Sequence, residues 1–211
     1  MTVNGQRSSR TRELTILATM AAVSATLEAT MGTYLHTVHF PLVGAVMVAL
    51  DLIVYTIGYM FVPRRGTVVL MGTVTALPSI LMGGPLKTLA LPAIVLEAAL
   101  VDVVFSLFNL SLSGLVVAGV TANLFTLAWF ITIGSILAGR KVSSSVMAYS
   151  AANSLHAHGL LFALIVIVMF HVACGAMSGL MSWKVVCSVD RATSARGSAT
   201  RLPSGVRPLG R

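Results

Sequence analysis

Charge is what this chain has least of: Lys, Arg, Asp and Glu together make up 9% of its 211 residues, and only six of those side chains are acidic. A water-soluble domain carries roughly 25% charged residues, so a surface wetted on all sides is excluded. Cysteine is equally sparse. Cys174 and Cys187 are the only two, placed in or just after the last apolar segment without CxxC spacing, which speaks against a disulfide framework. The sequence also lacks a GxxxxGK[ST] loop, an HExxH and a GxSxG, so nothing in it points to an enzyme or to ATP hydrolysis by this chain. The net charge of +8 does not make a nucleic-acid surface. Its basic residues collect at the N-terminus (Arg7, Arg10, Arg12), in a short turn (Arg64, Arg65) and from Lys184 onward, where non-translocated membrane flanks collect them.

What is present is long apolar runs. Hydrophobic residues fill 56% of the chain and the mean hydropathy is +0.92. The expected fold class is an all-α integral membrane protein, a six-helix transmembrane bundle, because each span needs about 20 apolar residues. The spans fall at about 14–35, 42–62, 67–82, 88–110, 115–138 and 159–181. Residues 1–12 form a basic N-terminus, 13–184 the transmembrane domain, and 185–211 a basic tail expected to be disordered. A cleaved signal peptide is a poor fit to the first apolar run, since such a region is shorter and a second long run follows almost at once.

Two segments are less regular. The third span is short, contains Pro78 and stops at Gly83-Gly84-Pro85; it either lines a cavity or crosses thin bilayer at a tilt. Residues 142–158 hold Ser143, Ser144, Ser145, Tyr149, Asn153, His156 and His158, and read as part of a polar outer connection over about 139–158. If they crossed instead, the chain would have seven spans. With six, both termini share one side, and the positive-inside rule places them in the cytoplasm with Arg64 and Arg65. Arg140 and Lys141 then fall on the side that rule disfavours.

Four of the six acids, Glu28, Asp51, Glu97 and Asp102, lie inside apolar spans, where carboxylates are costly and usually functional. Glu97 and Asp102 are five residues apart and point about 140° apart on a helix, so they do not form one paired-carboxylate site. Glu97 is close to the outer Gly-Gly-Pro end and suits an externally open pocket. Glu28 is a candidate for ion coupling; Asp51 and Asp102 are expected to be neutral or hydrogen-bonded within the bundle.

The outer connections carry His36, His39, Lys87, His156 and His158. Four imidazoles there (His36, His39, His156, His158) offer an alternative transition-metal site, though a dedicated metal site is not the main expectation. His171 and Cys174, three apart in the last span, are expected to be satisfied within the bundle. Trp129 lies in the outward-leading half of span five and Tyr34 ends span one. With Glu97, Tyr149, Asn153, His156 and Lys87 they make a set suited to a flat, partly cationic heterocycle: rings stack on the ligand and polar groups fix its edge.

Span one carries Ala18, Ala22, Ala25 and Ala29, small residues along one face that permit close helix approach in lipid. With Arg12-Glu13-Leu14-Thr15 before this series, about 200 residues and six apolar segments, the chain resembles the substrate-binding S component of energy-coupling-factor (ECF) transporters over roughly residues 10–184. The resemblance implies a vitamin-capture or metal-capture subunit of the cell membrane with no cofactor of its own. Its partners would be the lipid bilayer, a small-molecule substrate, a transmembrane coupling subunit docked on the alanine face, and two cytoplasmic ATPase subunits that use ATP; no nucleic acid is involved. The nickel and cobalt members of that family are expected to use an N-terminal Met-His arrangement, which this chain lacks, so an organic vitamin such as thiamine or its pyrimidine precursor is the better match. In thiamine-type members groups like Glu97, Trp129, Tyr149, Asn153 and His156 surround the ligand. A stand-alone proton-linked secondary transporter and a non-transporting membrane assembly subunit are the other readings.

Overall fold

The computed structural model describes residues 3–38, 42–82, 90–137 and 160–195, with single positions 139, 144, 146, 147 and 151. Among the described residues every regular element is helical, and the chain is an all-α membrane bundle. Helix α1 runs Val3–Leu27, widens into a π-helical turn at Glu28–Gly32 and resumes as α-helix at Thr33–Thr37. There follow α2 (Val43–Phe61), α3 (Thr67–Met82), α4 (Ala90–Phe108), α5 (Leu112–Leu137) and α6 (Leu160–Ala195). Five of these rods are long and apolar enough to cross a membrane, and α3 is the shorter one, as its composition predicts. At 16 residues it is about 24 Å long, less than the roughly 30 Å of a bilayer core.

Local chemistry sets the helix ends. Val62 closes α2 by donating its N–H to the Gly58 carbonyl at 3.0 Å, and Pro63 cannot continue the ladder. The turn into α3 needs Gly66 at φ +88°, a conformation that penalises a side chain. Asn109, at φ 53°, stops α4 in the left-handed conformation common after helix C-termini. Ser111 begins α5 by accepting the Gly114 N–H on its hydroxyl at 3.1 Å, an N-cap bond.

Helix α2 is the hub: it packs against α1, α3, α5 and α6, while α1–α3–α4–α5–α6 follow one another around it. Accordingly 61% of its most apolar window is buried, against 17% for α1, which therefore sits at the periphery. The main core gathers Leu52, Tyr55, Met71, Ala98, Phe105 and Leu115, with Tyr59 and Phe105 in edge-to-face contact at 5.2 Å. Large apolar side chains such as Leu107, Ile136, Leu161 and Met169 point outward, whereas Ser24, Asp51, Thr56, Glu97, Asn123 and His171 are buried. That inversion suits lipid surroundings.

The tightest seam joins α5 and α6. Gly119 and Gly175 face each other so closely that a methyl group on either would run into the other's backbone, and one on Gly179 would lie 2.6 Å from the Val116 Cα. Backbones approach this closely only where side chains are missing.

One expectation is corrected. The segment 185–195, read as the start of a disordered tail, is helical and continues α6 to Ala195. Val186 is buried and Val189 packs on the main core, so apolar contacts extend the helix past Trp183 and Lys184. Residues 196–211, and most of the polar connection at 139–158, lie outside the described residues.

Candidate functional site

The four intramembrane carboxyl groups divide into two settings. Asp102, buried on α4, accepts the N–H of Gly66 at 2.8 Å and of Val68 at 3.0 Å. It therefore caps the N-terminus of α3 from a neighbouring helix, using both oxygens on orphan donors where the helix dipole favours an anion. Nearby, Arg64 pairs with Glu13 at 2.9 Å and ties the α2–α3 turn to α1.

Glu28, Asp51 and Glu97 form the other setting. Asp51 on α2 accepts a short hydrogen bond from the Ser24 hydroxyl of α1. Glu97 on α4 accepts one from Thr126 Oγ1 of α5 at 2.7 Å. Asp51 lies within electrostatic reach of both Glu28 and Glu97, and Glu97 within reach of Glu28. Tyr55, 1% exposed, is one turn from Asp51 on α2 and within electrostatic reach of all three carboxyl groups. Its hydroxyl sits beside Gly72, whose missing side chain lets α3 meet α4 at Ala98. Glu97 itself is seven residues, about 10 Å, from the Ala90 end of α4.

Helical spacing explains the gathering. Ser24 and Glu28 are four apart on α1, as are Asp51 and Tyr55 on α2, so each pair shares a face. The π-helical turn begins at Glu28 itself; such turns occur often at functional sites. On α5, Asn123 and Thr126 are three apart. Asn123 is fully buried and donates to the Gly119 carbonyl at 3.2 Å, while its Oδ1 has no partner among the described residues.

The sequence-predicted site residues separate accordingly. Glu97 is buried inside the bundle, and half-buried Trp129 follows Thr126 by three residues and packs beside Phe125 at 6.0 Å between ring centroids. Tyr34 does not join them: it is 61% exposed, because its neighbour Leu35 takes the buried side of the helix. Lys87, Tyr149, Asn153 and His156 lie outside the described residues, as do His39 and His158 of the alternative metal set; of His36 only the helical backbone is described. Among the described residues no three His, Cys, Asp or Glu side chains stand close enough to hold a metal ion. Ala18 and Ala22 are exposed and Ala25 and Ala29 partly so, while Ala21 turns fully into the bundle. His171 bonds its own helix, Nδ1 donating to the Ile167 carbonyl at 2.8 Å, and Cys174 and Cys187 are free thiols.

Sequence reasoning missed Ser24 and Thr126 as members of the group. Their signal was the spacing of three or four residues between polar side chains within otherwise apolar spans. No family model, curated protein or solved structure matches the chain.

Proposed function

We propose that the chain is the membrane-embedded substrate-capture subunit of an ECF-type vitamin uptake transporter, taking a small, partly cationic heterocycle such as thiamine or its pyrimidine precursor from the external side. The observation that carries this reading is the gathering of carboxyl groups in the bundle. Asp51 and Glu97 are buried, Glu28 is half-buried, and the three lie within electrostatic reach of one another. Carboxyl groups gathered in this way favour a cationic ligand over an anionic vitamin. Trp129, one turn along α5 from the hydroxyl that holds Glu97, offers a ring for stacking.

The rest of the transporter follows from the same reading. The exposed Ala18 and Ala22, with Ala25 and Ala29, form a small-residue face for a transmembrane coupling subunit. Two cytoplasmic ATPases supply the energy, and both termini lie in the cytoplasm of a prokaryotic cell. Isothermal titration of thiamine into the purified full chain in nanodiscs tests the reading. Saturable binding is expected, weakened at least tenfold by Glu97→Gln and by Trp129→Ala. Equal affinity for biotin, together with an unaffected Glu97→Gln variant, would overturn it.

The convergence of Glu28, Asp51 and Glu97 also favours a second reading, a proton-linked transporter that works alone. Proteoliposomes holding only this chain separate the two. Substrate accumulation driven by a proton gradient supports the second; its dependence on added coupling subunit and ATPases supports the first.

A further inference from the structure

The hub helix keeps one side uncovered. On α2 the line Val43, Met47, Asp51 and Gly58 faces α1: Val43 and Met47 pack with Leu35, Asp51 bonds to Ser24, and Gly58 lies beside Met20. Val46, Leu50 and Ile57 each stand one residue before a member of that line. Ile53 and Phe61 continue their stripe at spacings of three and four, so the stripe is turned about 100° away from α1. Its first four members are half-buried and Phe61 is 53% exposed, although α2 is otherwise the most enclosed span. Helices α1 and α6 both pack on α2 but not along each other, so the stripe runs between them as an apolar groove about 22 Å long. Val46 and Leu50 rest against its α1 wall at the Leu35 cluster.

The chain that leaves the Phe61 end of the groove is cationic. Pro63 ends α2, and Arg64 and Arg65 follow, both exposed. Arg64 is paired with Glu13 of α1, next to the exposed Arg12, whereas Arg65 forms no ion pair with a described residue. The backbone around Arg65 is held on both sides. Arg64 is tied to α1, and the following residue, Gly66, donates its N–H to the buried Asp102 at 2.8 Å. The turn therefore keeps a guanidinium in place four residues past the last apolar side chain of the groove, and a guanidinium matches a phosphate with two parallel hydrogen bonds.

Residue size and charge select the occupant. A partner's transmembrane helix is the poorer fit, because helices in lipid approach one another over small residues and this stripe is Val, Leu, Ile and Phe. Branched apolar side chains suit an acyl chain, and the basic end suits a headgroup that carries net negative charge. A zwitterionic headgroup would bring its own cation to a place already occupied by arginine. We infer that the groove between α1 and α6 retains one anionic phospholipid, its acyl chain over Ile53, Ile57 and Phe61 and its phosphate on Arg65. The inference stands apart from the capture reading and does not depend on it.

The test mixes the purified full chain in detergent with equal amounts of phosphatidylglycerol and phosphatidylcholine bearing the same acyl chains, and reads the retained lipid by native mass spectrometry. Circular dichroism verifies that each variant is folded. One phosphatidylglycerol is expected to be retained, preferred about fivefold or more over phosphatidylcholine. Arg65→Gln should lower that preference at least threefold, and Arg65→Lys should restore most of it. Ile57→Trp, which fills the groove, should lower retention at least threefold, whereas Leu107→Trp on the lipid-facing side of α4 should leave it within about 1.5-fold. Should Ile57→Trp fail to fold, the two Arg65 variants carry the test. Equal retention of the two lipids overturns the inference. So does an equal loss in Arg65→Gln and Lys184→Gln, which would assign the preference to the net charge of this end of the bundle. A dimer of the chain that Ile57→Trp abolishes would give the groove to a second copy, and the lipid site would fall.

Discussion

Glu97 and Asp102 stand five residues apart on α4 and are buried to nearly the same degree, 7% and 6% exposed. Their surroundings differ in kind. Asp102 meets two backbone N–H groups at the start of α3, donors that no helix can satisfy internally. Glu97 accepts from one hydroxyl and lies within electrostatic reach of Glu28 and Asp51. The difference teaches that an acidic residue in a membrane span is not by itself a sign of function. What separates a structural acid from a candidate ligand contact is whether the fold supplies the donors.

The largest effect that bears on this comparison comes from outside both acids. Thr126 can hold Glu97 only while α5 is positioned by its seam with α6, and the Gly175 face of that seam has no space for a methyl group against the Gly119 backbone. Gly175→Ala is therefore expected to cost about 3 kcal/mol or more, since neither backbone yields cheaply. Thermal unfolding in detergent measures it. A change under about 1 kcal/mol would mean that the two helices slide freely and that the position of Thr126 is not set there.

Asp102→Ala comes next. Removing both acceptors leaves the Gly66 and Val68 N–H groups without partners at a buried helix start, a loss of about 2–4 kcal/mol. Glu97→Gln should change stability by less than about 1 kcal/mol, because the amide is nearly the same size and its oxygen can still accept from Thr126. Comparing the two melting temperatures breaks or sharpens the contrast directly. If Glu97→Gln destabilises as much as Asp102→Ala, then Glu97 belongs to the scaffold as well.

How much of this was legible in the sequence follows from what each feature depends on. Span positions depend on apolar length, and the expected 67–82 and 42–62 fall almost on α3 and α2. The expected 140° between Glu97 and Asp102 agrees with their reaching different neighbours, α5 and the start of α3. Which carboxyl groups meet depends on how each helix is rotated, which is decided by packing across the bundle. So Ser24–Asp51 was not legible, although the four-residue spacings 24/28 and 51/55 were present to be seen. That Leu35 rather than Tyr34 turns into the bundle was not legible for the same reason, since one residue of rotation moves a side chain about 100°. The π-helical turn at Glu28 has no sequence signature, and the continuation of α6 rested on Val186 and Val189 finding the core.

The smallest predicted effect tests what holds the α2–α3 turn in place. Arg64 and Glu13 approach to 2.9 Å, but the arginine side chain is 63% exposed, and exposed pairs contribute about 0–1 kcal/mol. Arg64→Ala should therefore lower stability by less than about 0.5 kcal/mol, and the loss should shrink further in high salt. Asp102 bonds to the same turn from the bundle interior, where salt does not reach it. If Arg64→Ala proved the more damaging of the two, the turn would be held from its surface, and Asp102 would need another reason for its burial. The contrast with Glu97 would then lose its structural half.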